Sequence, residues 1–166
     1  MNFKRFKSLL DREALYFCRV DKFRDPFEGT LTEPNKTIAG EVFKDLPDAY
    51  ATLEKIPETN NRFSVVKCCA MNEQEPAWLW REYVNGYGLA IQSTFDRLTR
   101  CLNSKTEHNV FIGGTVKYIN HKTDRQYVRN MYYPLLYKSK NFDFEKELGA
   151  IVMKHSLEDD GLVHLD

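Results

Sequence analysis

FSVVKCCAMNEQEPAWLWREYVNGYGLAIQSTF, residues 63–95, runs from an apolar segment through an acidic turn and an aromatic segment to a glycine-containing stop and a second apolar segment. That order predicts strand, helix, strand, with both strands buried and the helix crossing or capping one end of the sheet. In the first strand Phe63, Val65, Lys67 and Cys69 alternate with Ser64, Val66, Cys68 and Ala70, so both faces are largely apolar, as in an inner strand. Asn72 and Glu75 have the N-x-x-E spacing of a helix cap, and Pro76 falls in the first turn, where its missing N–H does no harm. On the helix Leu79 and Tyr83 share one face and Trp80 and Val84 another, and Asn85-Gly86 supplies the stop. Residues 87–93 form the second strand, and Ser93 with Asp96 caps a helix at about 94–103 that turns Phe95, Leu98 and Leu102 inward.

Asn72, Glu73 and Glu75 cluster where the first strand hands over to the helix, a usual place for a binding site in a sheet protein. The aromatic block that includes Trp80 and Tyr83 has two readings. One is core packing. The other is a wall on which a nucleobase or nicotinamide ring stacks, with Asn72, Glu73 or Arg81 supplying polar contacts.

Upstream, Phe3, Phe6, Leu9 and Leu10 recur at helical spacing and predict a helix over 3–13, followed by a strand at 14–20 in ALYFCRV. The loop beyond contains Arg24-Asp25-Pro26-Phe27-Glu28-Gly29. Pro26 fixes its own φ and extends Asp25, which holds the Asp25 and Glu28 carboxylates on one rigid turn. Such a turn is either structural, with Asp25 bonding nearby amides and Phe27 plugging the core, or a polar loop lining a pocket. Two short helices are expected at about 39–45 and 47–56, split at Pro47, within a helical insertion over 37–60 that covers one edge of the sheet.

Downstream, residues 110–119 read as one strand bent at Gly113-Gly114, or as two strands. Residues 123–133 have helical character up to Pro134. From Glu145 onward the chain alternates: Glu145, Glu147, Gly149 and Ile151 face one way, Lys146, Leu148, Ala150 and Val152 the other. Glu145 and Glu147 are therefore expected to project from one side of an inner strand. Paired carboxylates of this kind raise one another's pKa, orient a ribose hydroxyl or stabilise a developing cation. The structural alternative is an edge pair balanced by Lys138, Lys140 or Lys146. The last residues, SLEDDGLVHLD, read as a turn and the start of one more strand.

The 166 residues suffice for one core and fall short of two. Lys+Arg and Asp+Glu are both 24, so the chain has no net field to steer it to nucleic acid, and general nucleic-acid binding is not expected. No apolar run approaches the ~20 residues of a membrane helix, and the start lacks a signal-peptide pattern, so no membrane association and a cytoplasmic location are expected. Cys18, Cys68, Cys69 and Cys101 are scattered and read as reduced core thiols. No histidine sits beside a cysteine or a second histidine, so no metal site is expected. The fold expected is an α+β single domain, with a mixed, mainly antiparallel central sheet of about five to six strands flanked by short helices.

Leu9-Leu10 followed by ALYFCRVDKFRDPFEGT, then CCAMNEQEPAWLWREYVNGYGLAIQSTFD, VKYI and YKSKNFDFEKELGAIV, resemble the prokaryotic family known as domain of unknown function 2971 (DUF2971). The resemblance runs over most of the chain in order, and DPFE and FEKEL are its most specific segments. There are three departures. Family members usually have a segment with Trp, Arg and Tyr before the first helix, where this chain begins Met1-Asn2-Phe3, so an N-terminal strand is expected to be lacking and C-terminal elements to be incomplete. Cys69-Ala70 stands where Trp-His is frequent, and Gly149 where arginine is frequent.

The family layout is in turn similar, at the level of fold, to ADP-ribosyltransferases. That similarity implies NAD as cofactor and the E-x-E form in Glu145-Lys146-Glu147. Glu147 would orient the nicotinamide ribose and stabilise an oxocarbenium-like transition state, with Glu145 beside it. Asn72, Trp80 and Tyr83 would surround the ring, with Asp25, Glu28 and Glu73 as further ligand-binding residues. The implied activity is an ADP-ribosyltransferase or NAD glycohydrolase of prokaryotic stress or phage defence. The alternatives are an inactive nucleotide-binding sensor, or an interaction module whose incomplete sheet recruits a protein partner or a second copy.

Overall fold

Seven residues of one strand, Glu147–Met153 (β7), hold the main sheet together. The computed structural model describes residues 1–84, 87–103, 110–153 and 162–164; the expected Asn85-Gly86 stop and the turn at 156–161 lie outside them. Along its whole length β7 pairs antiparallel with Ser64–Ala70 (β3), from Ser64 opposite Met153 to Ala70 opposite Glu147. On its other side it pairs with Val110–Thr115 (β4), with a register shift between Ile112 and Gly114, where a bend was expected. Cys18–Arg19 (β2) pairs with the outer side of β3, giving an antiparallel sheet of order β2-β3-β7-β4.

Two small pairs flank this sheet. Ala14–Tyr16 (β1) pairs antiparallel with Leu162–His164 (β8), and Lys117–Ile119 (β5) pairs parallel with Tyr137–Ser139 (β6). With five α-helices among the described residues the fold is α+β.

The alternation read from β3 and β7 puts apolar groups on both faces. Phe17, Val65, Leu102, Ala150 and Val152 pack on one side, and Val20, Val66, Leu135, Leu136 and Ile151 on the other. Ile151 has no exposed surface; full burial of such a side chain contributes roughly 1.5–3 kcal/mol.

Helix α1 (Phe3–Arg12) is capped by the Asn2 side chain, which accepts from the Arg5 N–H at 2.9 Å, and ends at Glu13 in the left-handed region. Helix α2 (Glu33–Val42) begins at Thr32, earlier than its apolar pattern indicates, because Thr32 caps it and Pro34 sits in its first turn. Helix α3 (Pro47–Phe63) runs through Pro57 rather than stopping there, and packs on β2, β3 and the 3-10 turn Val20–Lys22. Helix α4 is Ala77–Tyr83 and α5 is Phe95–Asn103.

Several expectations are corrected. Residues 87–93 form no strand: both edges of β3 are already taken, and this segment is mostly exposed, with only Leu89 exchanging backbone hydrogen bonds with Met1 at 2.6 and 2.9 Å. The run 14–20 divides into β1 and β2 around the buried Phe17. Pro76 is the N-cap of α4, so Asn72 does not cap it, and Thr94 rather than Ser93 caps α5 by accepting from the Arg97 N–H at 3.3 Å. Phe95 faces outward, 58% exposed.

Residues 123–133 are not helical. Asn120 accepts from the Lys122 N–H, Asp124 from the Asn120 N–H, and Asn130 from the Tyr132 N–H, which ties the backbone into turns. The buried Gln126 then anchors the segment: its Oε1 accepts from the Thr32 N–H and its Nε2 donates to the Thr30 carbonyl. No helix of the described residues is long and apolar enough to cross a membrane.

Candidate functional site

Lys138 lies in the middle of β6, opposite Tyr118 of β5, between the 3-10 turns Tyr133–Leu136 and Lys140–Glu145. Its ammonium is the centre of a buried ionic cluster. Lys138 Nζ lies 2.5 Å from Glu145 Oε2, 3.0 Å from Glu147 Oε2 and 3.3 Å from Glu28 Oε1. All four side chains are almost fully withdrawn from water, with Glu147 4% exposed. Phe142 closes the cluster, its ring centroid 5.2 Å from the ammonium, a cation–π distance.

Glu145 and Glu147 do converge, but by a route that strand alternation does not describe. Glu145 ends a 3-10 turn, Glu147 begins β7, and Lys146 between them takes a left-handed conformation at φ 45°. That residue turns its own side chain away and delivers both carboxylates to one ammonium. Tyr118 fixes the junction by accepting from the Glu147 N–H at 3.0 Å, and the Val116 N–H donates to the Glu147 carbonyl at 2.8 Å.

The Asp25–Glu28 turn serves structure and site together. Asp25 accepts from the Phe27 N–H at 3.0 Å, the Ser139 N–H at 2.7 Å and the Ser139 hydroxyl at 2.9 Å, which pins the turn beside Lys138 and leaves Asp25 a positioning role. Glu28, carried by the same turn, reaches the cluster. Phe27 does not plug the core: it is 45% exposed and stacks on the buried His121 with centroids 4.9 Å apart. Gly29 follows at φ 71°, pressed against the Asn61 side chain, whose Nδ2 donates to the Glu28 carbonyl at 3.0 Å.

Three carboxylates facing one ammonium shape the titration of the site. Burial pushes Glu28 up to about 7; Lys138 opposes that rise, and the charges of Glu147 and Asp25 add to it. Burial raises Glu147 as well, against the pull of Lys138. Burial alone would lower Lys138, but Glu28 and Glu147 hold it well above the usual lysine range. On β3, burial and then the charges of Glu147 and Glu28 keep the Cys68 thiol protonated.

Among the other residues expected at a site, Tyr83 ends α4 and is 49% exposed, with no hydrogen bond to the cluster among the described residues. Partial burial, and then the negative charge of Glu147 and Glu145, pushes its phenol up to about 12. The Arg24–Glu82 ion pair ties α4 to the Asp25 turn, and Trp78 meets Phe144 edge-on with centroids 5.2 Å apart. Trp80 is not part of the cluster's bonding; its Nε1 donates to Glu75 at 3.2 Å on the surface. Asn72 and Glu73 are exposed and form no hydrogen bond or ion pair among the described residues.

No family model, curated protein or solved structure matches this chain. The site is therefore defined by its own geometry. Sequence reasoning passed over Lys138 except as one of three counter-ions, although a lysine directly after Leu135-Leu136-Tyr137 was the available signal. Tyr118, Ser139 and Phe142 carried none, since their roles arise from the β5–β6 pairing. Gly149 pairs with Cys68, and a Cβ there would come within 3.0 Å of Leu136, so an arginine at this position would have to displace that core leucine.

Among the described residues no group of three or more His, Cys, Asp or Glu side chains could hold a metal ion, and the Lys138 ammonium supplies the cation of the carboxylate cluster. A cavity of about 390 Å³ lies between α2 and α3, lined by residues including Lys36, Ala39, Tyr50 and Leu53. None of the expected site residues lines it.

Proposed function

We propose that this protein cleaves NAD at the nicotinamide–ribose bond, as an ADP-ribosyltransferase or NAD glycohydrolase, and that the Lys138 cluster is its anionic centre. The observation that carries this reading is the convergence of Glu28, Glu145 and Glu147 on one ammonium. With all three ionised, the carboxylates exceed the cation by two charges in a site shielded from water. Such a site favours cations, and the reaction has two: the nicotinamide ring of NAD and the oxocarbenium-like ribose formed as nicotinamide leaves.

The E-x-E order of Glu145-Lys146-Glu147, the resemblance to DUF2971 and the fold-level similarity of that family to ADP-ribosyltransferases support the same reading. Glu147, held by Lys138 and with its backbone fixed by Tyr118, is the carboxylate assigned to the ribose. Tyr83, whose phenol senses the charge of Glu147 and Glu145, is the aromatic residue assigned to the ring. A role in prokaryotic stress or phage defence follows from the family resemblance alone.

One observation favours a second reading, a nucleotide-binding sensor without turnover. Glu147 is 4% exposed and already bonded to Lys138, so a ligand has to displace part of the cluster to reach it. Thermal-shift titration with NAD and chromatographic detection of released nicotinamide separate the readings. NAD at 100 times its Kd stabilises by about 2.7 kcal/mol, a shift of several degrees. Glu147→Gln is expected to abolish nicotinamide release while leaving Tm nearly unchanged. A shift without release in the parent chain selects the sensor. No shift with NAD, ADP-ribose, ATP or GTP removes both readings and leaves an interaction module, to be pursued through concentration-dependent oligomers.

A further inference from the structure

We propose that His121 is an acid-operated latch on the Asp25–Glu28 turn: the neutral ring holds the turn against the Lys138 cluster, and protonation of the ring lets the turn swing away. The latch depends on the placement of Glu28 in that cluster and not on the reaction the cluster performs. His121 lies two residues beyond β5 and is 6% exposed. The Phe27 ring covers it, with centroids 4.9 Å apart and planes inclined by 26°. Phe27 is itself exposed on its outer side, so it is the layer between His121 and water.

The arrangement suits one protonation state of the ring. Neither ring nitrogen makes a hydrogen bond among the described residues. The Phe27 backbone comes near the ring, but its carbonyl already accepts from the Thr30 N–H at 3.1 Å and the Thr30 hydroxyl at 2.7 Å. The charged groups facing the ring are Asp25 from the turn, Asp124 from the loop of His121 itself and Lys36 from α2. Both carboxylates are engaged, Asp25 by Phe27 and Ser139, Asp124 by Asn120 and Thr123. An imidazolium brings two N–H donors and a charge, and burial without a partner opposes both.

The way from the ring to water runs through Phe27, which belongs to the turn that carries Glu28. The Phe27 N–H donates to Asp25 at 3.0 Å, and Asp25 in turn holds the Ser139 N–H at 2.7 Å. Displacing Phe27 therefore loosens the bonds that pin the turn to β6 and draws Glu28 away from Lys138 Nζ, 3.3 Å distant. The His121 carbonyl accepts from the Glu33 N–H at 2.9 Å, so α2 keeps the backbone in place while the ring moves. Burial holds the imidazole below its ordinary value of 6.5, against the pull of Asp25, the Phe27 backbone and Asp124. The unfolded or opened chain thus takes the proton first. Stability drawn from the neutral ring is complete above pH 6.5 and is lost as pH falls through the folded value.

The test is native-state hydrogen exchange of the Phe27 and Ser139 amides, corrected for intrinsic rates, from pH 7.5 to pH 5 in the whole chain, in His121→Phe and in Phe27→Ala. An NMR titration of the histidine rings runs beside it, with His121 identified by its contacts to the Phe27 ring. In the parent, His121 is expected to titrate below the ordinary value, and exchange to accelerate by up to about tenfold per pH unit below that point. His121→Phe keeps an aromatic stack that takes no proton, and is expected to lose this acceleration. Glu28 takes up its own proton in the same range in both chains, so the difference between them reports His121. Phe27→Ala, a change at an exposed ring, is expected to return His121 to the ordinary range. The inference is overturned by no acceleration in the parent, by equal acceleration in the parent and His121→Phe, or by a parent His121 that titrates at or above its ordinary value. If His121→Phe does not fold, Phe27→Ala decides: a histidine titration unchanged from the parent overturns the latch, and a rise supports it.

Discussion

Replacing Lys138 by methionine keeps the length of the side chain and removes the only cation among the described residues that pairs with Glu28, Glu145 and Glu147. Breaking a buried ion pair by removing one partner costs about 3–5 kcal/mol, because the remaining charge has neither water nor counter-ion. Urea unfolding of Lys138→Met at pH 8 is expected to show that loss, and at pH 5 a smaller one, since Glu28 and Glu147, whose pKa burial raises, then take up protons. Glu28 gives the complementary test. Its folded pKa of about 7 lies above the ordinary glutamate value of 4.5, so the folded state binds the proton more tightly than the unfolded state. Its contribution to stability is fully present below pH 4.5 and is lost as pH rises through 7. The Tm of Glu28→Gln is therefore expected to gain on that of the parent between pH 5 and pH 8. At this scale the sequence made Glu145, Glu147 and the DPFE carboxylates legible as candidates. It could not rank them, because rank depends on which oxygens Lys138 and Ser139 occupy.

The strand β7 combines the two tasks of the fold: its first residue, Glu147, belongs to the cluster, and Ile151 and Val152 belong to the two apolar layers. Ile151→Ala is expected to cost about 2–5 kcal/mol, measurable by urea unfolding, since Ile151 is fully enclosed and the cavity left behind cannot collapse easily. Both β3 and β7 were legible because apolar residues on both faces leave few alternatives to an inner strand. Residues 87–93 show the limit of that signal: an apolar run does not by itself make a strand, and this one lies mostly exposed outside the sheet. Residues 123–133 show another. Helical spacing of Tyr127, Val128 and Met131 was outweighed by Asn120, Asp124 and Asn130 bonding their own backbone, and by the long-range bonds of Gln126. The left-handed Lys146 was also invisible, since nothing in a lysine side chain signals a positive φ.

At the scale of the whole molecule, the site joins residues distant along the chain: the turn at Asp25–Glu28, Tyr118, and the segment from Lys138 to Glu147. Ser139 and Asp25, 114 residues apart, are joined by two hydrogen bonds, and β3 pairs with a strand that begins only at Glu147. Loop-closure entropy opposes such contacts until the intervening chain is in place, and folds built on them form slowly. For a polypeptide leaving the ribosome the consequence is a matter of timing. Synthesis proceeds at about 5–20 residues per second, and until β7 has emerged, β3 has a strand on its β2 side alone and Lys138 has no Glu147 to face. Whatever chemistry the cluster performs is withheld from the nascent chain and switched on only when the last central strand is inserted.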